Sequence, residues 1–362
     1  MNYRIVFPVV FIFVLVLIYS SCKHDKSELP ELDSETNYPD HISSIIVGKC
    51  AVSGCHNTVS KDGAAGLDLS TWGKLFEGGR NGAAVIPYRP DFSLLIYYTN
   101  HDSILPYQEL LPTMPVGSTP LSASELTALK NWVEQGAPDK TGFVKFSDNP
   151  SRKKFYAGNQ GCDQVAVFDA SSMLVMRYIH VGNSATIESP HMIKVAPNNQ
   201  FFCIAFLASN YFQKFSTVDS TLLGQVDIGF GSWNTFAISS DSKKAYVVDW
   251  NSSGKIAFVD LDAMTAQVFN FGFPFPHGSV LNQTDDTLYV PCSLGDNIWK
   301  IPVNDITNNE QIDFAGGQHN FHEIIFSPDG SKYFLTAENT NVVLAVNTAN
   351  DSILASIHVG TF

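Results

Sequence analysis

A repeat of about 45 residues runs through the second half of the chain and restricts the folds open to it. Strand-like runs end in glycine at intervals of 47, 43, 45 and 43 residues, at Gly182, Gly229, Gly272, Gly317 and Gly360. Each unit contains a polar turn and then short β-branched and aromatic runs, such as residues 244–248 and 256–260. Short strands at this period are typical of β-propeller blades. The spacing therefore predicts an all-β propeller of roughly five blades over residues 150–362.

The first and last units do not supply a complete set of strands for a closed ring. Residues 153–182 supply three strands of a unit, and the sequence stops at Thr361-Phe362, where another unit would begin. We therefore expect an unsealed seam. The turn Ser327-Pro328-Asp329-Gly330 and the V-x-V-x-D run at residues 165–169 resemble YVTN-type propeller repeats. That resemblance covers residues 153–360 and implies an architecture, not an activity.

The first half of the chain carries a different signal, two cysteines followed directly by a histidine. Cys50 and Cys55 are separated by four residues, and His56 follows. In c-type haem attachment each thiol forms a thioether with a haem vinyl group, and the adjacent imidazole coordinates the iron. The usual separation is two residues, but a longer loop can still bridge both vinyls by bulging outward. A Cys50–Cys55 disulfide and a zinc site are the alternatives, although zinc needs four ligands and no second Cys/His cluster lies nearby.

Downstream segments extend this signal over about one small domain. They are residues 66–70, Val85-Ile86-Pro87, Pro112-Thr113-Met114-Pro115 and the W-x-x-x-G-A run of residues 132–137. In this order they resemble the small mono-haem cytochrome c domains of bacterial lipoproteins, in which a C-x4-C-H variant occurs. The resemblance implies a small all-α domain at residues 39–141 with one covalent haem c. It also implies Cys50 and Cys55 as attachment sites, His56 as proximal ligand and Met114 as distal ligand; His101 and an open position are the alternatives to Met114.

The N-terminus reads as an export signal. Arg4 precedes fifteen residues, 5–19, that are apolar or proline, which is short for a membrane-spanning helix. Ser20-Ser21-Cys22 follows and resembles a bacterial lipoprotein signal, which implies that Cys22 carries the lipid. We expect a signal peptide at residues 1–22, or alternatively an uncleaved anchor, and an acidic linker at residues 23–38. The chain would then be exported and anchored to a membrane, facing the periplasm or the cell surface.

The net charge restricts the possible partners, and the remaining cysteines and histidines suggest further roles. A net charge of −13 argues against nucleic acid, which requires basic surfaces. Cys203 and Cys292 stand in apolar runs, as buried small residues do, and Cys162 completes an odd set of three. Three histidines precede the first strands of their units: His191, His277 and His322. They could gather a metal, or serve as hydrogen-bonded groups at the mouth of the propeller channel.

Together these features predict a membrane-anchored c-type cytochrome that transfers electrons. The propeller would serve as a platform for an unidentified redox partner protein or a substrate. Two alternatives stay open: an oxidoreductase in which the propeller binds the reductant, and a surface binding module with a non-redox N-terminal domain. The sequence favours an electron-transfer haem protein over a turnover enzyme.

Overall fold

The computed structural model describes residues 36–315 and 319–360. The predicted signal peptide with Cys22, most of the acidic linker and Gly317 lie outside these residues. No helix in the described ranges is long and apolar enough to cross a membrane.

Short helices and turns make up the N-terminal part. The α-helices are α1 (Asp40–Ile45), α2 (Trp72–Leu75), α3 (Leu94–Thr99) and α4 (Ala123–Glu134). A π-helical turn (Ile46–Cys50) continues α1, and 3₁₀ turns lie at Lys61–Gly63 and Pro90–Phe92. The sequence predicts Asp40 as the N-cap of α1, ahead of Ile42, Ile45 and Ile46 at helical spacing. In the structure Pro39 is the N-cap and Asp40 is already helical, so the start differs by one residue.

Helix α4 begins at a capping box, as the sequence predicts. The Ser122 side chain accepts a hydrogen bond from the Glu125 backbone N–H, and the Glu125 carboxylate accepts one from the Ser122 N–H. These two bonds satisfy donors that the first turn would otherwise leave free. The apolar face of α4 is fully buried at Leu126, Leu129 and Val133. It packs on α1, and this contact forms the core of the N-terminal part.

Two indole groups fix the end of α4 within this core. Trp132 Nε1 donates to the Pro138 carbonyl at 2.9 Å. Trp72 Nε1 donates to the Ala137 carbonyl at 2.8 Å. Both tryptophans are buried, and these bonds satisfy N–H groups that would otherwise be costly in an apolar core. The segment after α4 is therefore held against α2.

The rest of the described chain forms five antiparallel sheets. The first sheet has three strands: β1 (Lys154–Asn159), β2 (Gln164–Asp169) and β3 (Val175–His180). The second has four: β4 (Pro190–Val195), β5 (Phe201–Phe206), β6 (Ser209–Ser216) and β7 (Leu222–Gly231). The third has β8 (Trp233–Ile238), β9 (Lys244–Asp249), β10 (Lys255–Asp260) and β11 (Thr265–Asn270). The fourth has β12 (Val280–Leu281), β13 (Thr287–Pro291), β14 (Asn297–Pro302) and β15 (Glu310–Asp313), with a 3₁₀ turn at Ile306–Asn308. The fifth has β16 (Phe321–Phe326), β17 (Lys332–Ala337), β18 (Val342–Asn347) and β19 (Ile353–His358).

Each sheet is a run of consecutive hairpins, so strand order follows chain order. Successive sheets pack through apolar layers. Cys203 and Phe212 of the second sheet, for example, belong to one core cluster with Phe236 and Val247 of the third. The first strands of the second to fifth sheets also contact one another in sequence, β4 with β8, β8 with β12, and β12 with β16.

The predicted fold class, a small all-α haem domain followed by a propeller of about five blades, is wrong. The described chain is mostly antiparallel sheet with few helices, and no closed propeller is seen in it. The N-terminal part is not all-α, because long irregular segments rich in glycine and proline separate its short helices. Hairpin patterns in the sequence specify each sheet locally, whereas closure depends on long-range contacts that these patterns do not encode.

Aromatic and arginine side chains join the N-terminal part to the first sheet. The Phe92 ring lies over Tyr178 of β3, with ring centroids 4.4 Å apart. Arg89 packs on Phe92 and donates to the Gln164 side chain at 3.1 Å. Arg177 of β3 donates to the Lys145 carbonyl at 3.3 Å. Because Phe92 stands two residues before Leu94, this junction connects the first sheet to the wall of the cavity described next.

Candidate functional site

All four side chains proposed from the sequence as haem attachment sites or ligands line one cavity. Cys50, Cys55, His56 and Met114 enclose a volume of about 430 Å³, within the range usual for ligand and cofactor sites. Most of the remaining wall is apolar: Leu67, Leu69, Ala84, Leu94, Leu95, Pro112, Pro115 and Val116. The structure thus brings together residues that are up to 64 positions apart in the sequence.

The backbone around the two cysteines forms a closed loop. The π-helical turn ends at Cys50, and the Ala51 N–H donates to the Ile46 carbonyl at 3.0 Å. The His56 N–H donates back to the Cys50 carbonyl at 3.1 Å. Gly54 within the loop has φ +81°, a conformation that glycine adopts without strain. These features accommodate the two extra residues of the C-x4-C spacing while Cys55 and His56 still face the cavity.

One hydrogen bond orients the His56 ring. Its Nδ1 atom lies 3.3 Å from the Leu67 carbonyl oxygen. The Leu69 N–H in turn donates to the His56 carbonyl at 2.8 Å. With the proton on Nδ1 donated to Leu67, the Nε2 atom keeps its lone pair for a metal. This is the arrangement that an iron-coordinating histidine requires.

Asp68 holds the segment that carries this acceptor. Its carboxylate accepts hydrogen bonds from the Ser70 N–H at 3.0 Å and the Ser70 hydroxyl at 2.6 Å, and it pairs with Lys74 at 3.3 Å. Burial raises the pKa of Asp68, but the hydrogen bonds from Ser70 and Thr58 and the nearby Lys74 outweigh it, and the pKa falls below its usual value. Asp68 is therefore a buried anion that fixes the loop beside His56.

The two cysteines are not joined by a disulfide in this structure. Cys50 and Cys55 are both free thiols. Burial, and then the neighbouring Cys55, raise the pKa of the Cys50 thiol to about 11, so this group remains protonated at neutral pH. Nowhere in the described ranges do three or more His, Cys, Asp or Glu side chains form a group that could hold a metal ion. The described residues therefore hold no four-ligand set for the zinc alternative.

Met114 and His101, the two distal-ligand candidates, have different environments. Met114 lines the cavity, and its N–H donates to the Tyr98 carbonyl at 2.7 Å, which ties the loop to α3. His101 is not among the residues that line the cavity. Its Nε2 lies 2.9 Å from the Leu121 carbonyl, and its Nδ1 lies 2.9 Å from the Asp102 carboxylate. Both ring nitrogens of His101 thus have partners within the protein, and its ring lies outside the cavity lining.

The three histidines of the repeats lie near one another. The rings of His277 and His322 are 4.4 Å apart, and His322 Nε2 lies 2.8 Å from the Glu338 carboxylate. His191 is bonded to Gln160. Sequence reasoning did not single out the Leu67 carbonyl as the acceptor beside His56. Its only signal was its position beside Asp68 in the segment of residues 66–70.

The donor set fits a covalently bound haem. It contains two thiols, an imidazole with a free Nε2 and a thioether, set in walls that are otherwise mainly apolar. Soft sulfur and imidazole donors suit iron in a porphyrin. The apolar walls would cover the faces of a macrocycle.

Comparison with known families also points to a haem cofactor, for part of the chain. A family model described as "Planctomycete cytochrome C" matches residues 53–106. The match includes Cys55 and His56, begins after Cys50 and ends before Met114. This part of the chain is therefore cytochrome c-like, and the family suggests a haem cofactor.

Two solved structures resemble the chain distantly. Hydrazine synthase of Kuenenia stuttgartiensis has a TM-score of 0.43 and 18% identity over 51% of this chain and 54% of that one. A functionally unknown protein from Desulfotomaculum acetoxidans has a TM-score of 0.49 and 13% identity over 58% of this chain and 67% of that one. The chain thus spans about half the length of the hydrazine synthase chain. No curated protein matches it.

Proposed function

We propose that this protein is an exported, membrane-anchored c-type cytochrome that carries one covalent haem and transfers electrons. Cys50 and Cys55 would form the two thioethers, His56 would be the proximal ligand and Met114 the distal ligand. The observation that carries the proposal is the convergence of these four side chains on one largely apolar cavity, with His56 Nδ1 turned to the Leu67 carbonyl.

The haem would supply a one-electron couple, and the surrounding residues would set its properties. A methionine thioether favours reduced iron and raises the potential relative to two histidines. The Leu67 carbonyl, by accepting from Nδ1, fixes the His56 ring and increases its basicity as a ligand. The apolar wall formed by residues such as Leu69, Ala84 and Leu95 limits water access, which also tunes the potential.

The remaining features of the proposal come from the sequence. A lipid at Cys22 would hold the protein at a membrane. The five-sheet region would present the haem domain to a partner, and the contact between Phe92 and Tyr178 supports a fixed placement of the two parts. The net charge of −13 is compatible with docking to a basic redox protein.

The spectrum of the haem-loaded protein tests the electron-carrier assignment. Met114→Ala should remove the spectral signature of sulfur coordination and change the reduction potential. Met173→Ala is the matched control, since Met173 is exposed in the turn before β3 and should leave both unchanged. Identical spectra and potentials for the wild type and Met114→Ala would contradict Met114 as a ligand.

A further inference from the structure

An open cavity lies at one end of the fifth sheet, apart from the haem site. Its volume is about 420 Å³, within the range usual for ligand sites. Strands β16, β17 and β18, the turn after β17 and the two residues after β19 form its wall. The lining residues are His322, Thr336, Ala337, Glu338, Asn341, Val342, Val343, Val359 and Gly360. None of these residues lines the haem cavity.

A bulge in β16 brings a histidine to this cavity. Two residues of β16, His322 and Glu323, stand opposite Thr336 alone in the pairing with β17. The Thr336 hydroxyl accepts a hydrogen bond from the Glu323 N–H at 2.8 Å. His322 Nε2 lies 2.8 Å from the carboxylate of Glu338, in the turn that follows β17. Bulges re-aim side chains and are common beside binding sites, so this one places an imidazole and a carboxylate at one cavity.

Backbone hydrogen bonds hold the apolar part of the wall next to this carboxylate. The Asn341 N–H donates to the Glu338 carbonyl at 3.2 Å and closes the turn. The Val359 N–H donates to the Asn341 carbonyl at 3.1 Å, so the residues after β19 lie against the same turn. Val342 and Val343 follow Asn341 at the start of β18 and also line the cavity. Val359 is 61% exposed, which leaves apolar surface for a ligand to cover.

The charges at the cavity indicate the sign of its ligand. Glu338 is the one carboxylate among the described lining residues, and none of these is lysine or arginine. A second carboxylate, that of Glu323, lies 3.7 Å from His277 Nδ1, and the His277 ring is 4.4 Å from the His322 ring. A neutral imidazole can donate from Nε2 to a carboxylate, so the contact between His322 and Glu338 does not require a positive histidine. The cavity therefore favours a cation.

An organic ammonium ion fits this cavity better than a metal ion. His322 and Glu338 are its two candidate metal ligands, and no group of three or more such side chains exists in the described ranges. An ammonium group requires hydrogen-bond acceptors instead. The Glu338 carboxylate, the Thr336 hydroxyl and the Asn341 amide oxygen provide them. The carbon atoms attached to the ammonium group would then meet the valines.

We propose that this cavity binds a small primary amine with a short apolar chain. The ammonium group would donate to Glu338, and the chain would pack on Val342, Val343 and Val359. The site lies in the fifth sheet, shares no lining residue with the haem cavity and goes beyond the electron-carrier function. Its failure would leave that function untouched.

Calorimetric titration of the full-length protein with n-butylamine tests the class of ligand. Binding should be saturable at millimolar concentration or below. n-Butanol and butyrate have similar chains with neutral and anionic ends, and each should bind at least about tenfold more weakly, a difference equivalent to about 1.4 kcal/mol. Methylamine should also bind more weakly than n-butylamine, because it lacks the chain that would cover the valines.

Variants test the residues. Glu338→Gln should weaken n-butylamine binding at least about tenfold, and it should fold, since glutamine keeps an oxygen that accepts from His322. Glu310→Gln, at an exposed position of β15, is the matched control and should bind as the wild type does. This control separates a site from the general attraction of a net charge of −13 for any cation. Val359→Ser should reduce the difference in affinity between n-butylamine and methylamine.

Four results would overturn the proposal. They are no saturable binding of n-butylamine, equal affinity for n-butylamine and n-butanol, equal affinity of the wild type and Glu338→Gln, and a melting temperature raised by Zn²⁺ but not by n-butylamine. The last result would indicate a metal site in place of an amine site.

Discussion

The Nδ1 atom of His56 lies 3.3 Å from the carbonyl oxygen of Leu67, and the Leu69 N–H returns a hydrogen bond to the His56 carbonyl at 2.8 Å. This pair of bonds ties the histidine that follows Cys55 to the segment across the cavity. It sets both the tautomer and the direction of the ring before any cofactor is present. The predictions below concern the parts that keep this arrangement in place.

Asp68→Ala should destabilise the protein by about 1–3 kcal/mol, because the Ser70 N–H and hydroxyl would lose their buried acceptor. The ion pair with Lys74 would also be lost. Urea unfolding of the variant measures the free-energy change, and exposed Asp62→Ala is the control. Equal changes in unfolding free energy for the two variants would show that the Asp68 hydrogen bonds do not stabilise the folded protein.

The Asp68 carboxylate also predicts that the stability of the protein falls at acid pH. The pKa of Asp68 is lowered in the folded protein, so its contribution to stability is complete above the unfolded value of about 3.9 and is lost as pH falls through the folded pKa. The difference in unfolding free energy between the wild type and Asp68→Asn should therefore shrink below about pH 4. A constant difference down to the acid transition would refute this assignment.

His101 predicts a stabilising contribution that is lost as pH rises, the opposite of Asp68. Hydrogen bonds to the Leu121 carbonyl and the Asp102 carboxylate raise the pKa of His101. Its stabilising contribution should be complete below the unfolded value of about 6.5 and should be lost as pH rises through the raised folded pKa. The urea midpoints of the wild type and His101→Gln should therefore differ at acid pH and become equal above the raised folded pKa of His101. The control is His41→Gln, at an exposed position of α1. Midpoints that become equal at acid pH instead would contradict the hydrogen bonds assigned to His101.

The capping box of α4 should contribute measurably to the core behind the cavity. Ser122→Ala removes the acceptor for the Glu125 N–H and should cost about 1 kcal/mol. Ser118→Ala, at an exposed position before the helix, should cost much less. Thermal unfolding of both variants tests this, and equal melting temperatures would mean that the cap is not formed.

The contact between Phe92 and Tyr178 should couple the N-terminal part to the sheets. Tyr178→Leu should cost about 0.5–1.5 kcal/mol beyond the lost buried area and should let the two parts unfold separately. Phe155→Leu is the control, since Phe155 stacks on Phe168 within the first sheet. Transitions that stay coincident by tryptophan fluorescence and far-ultraviolet circular dichroism in Tyr178→Leu would argue against this coupling.

Local signals in the sequence predicted local structure well. The capping box at Ser122 and Glu125 is confirmed, and strands are present at the predicted residues 244–248 and 256–260. Both depend on residues close together in the chain, where turn chemistry and alternation decide the outcome. Four side chains named from the sequence, Cys50, Cys55, His56 and Met114, are also among those that line one cavity.

Features that depend on contacts between distant parts of the chain were harder to predict from the sequence. The repeated pattern led to a propeller, whereas the described chain forms five sheets, the first with three strands, and no closed ring. The acceptor of the His56 Nδ1 proton is a backbone carbonyl, which residue type does not reveal. The different environments of Met114, in the cavity lining, and His101, outside it, likewise depend on the folded chain.

The central claim is tested most directly by haem staining of a denaturing gel after production in a host that attaches c-type haem. The wild type should retain haem, Cys50→Ser and Cys55→Ser should each retain less, and the double variant should retain none. Cys162→Ser, which removes an exposed thiol of the first sheet, should stain like the wild type. A folded wild-type protein that carries no haem through denaturation, or a double variant that still does, would contradict the account.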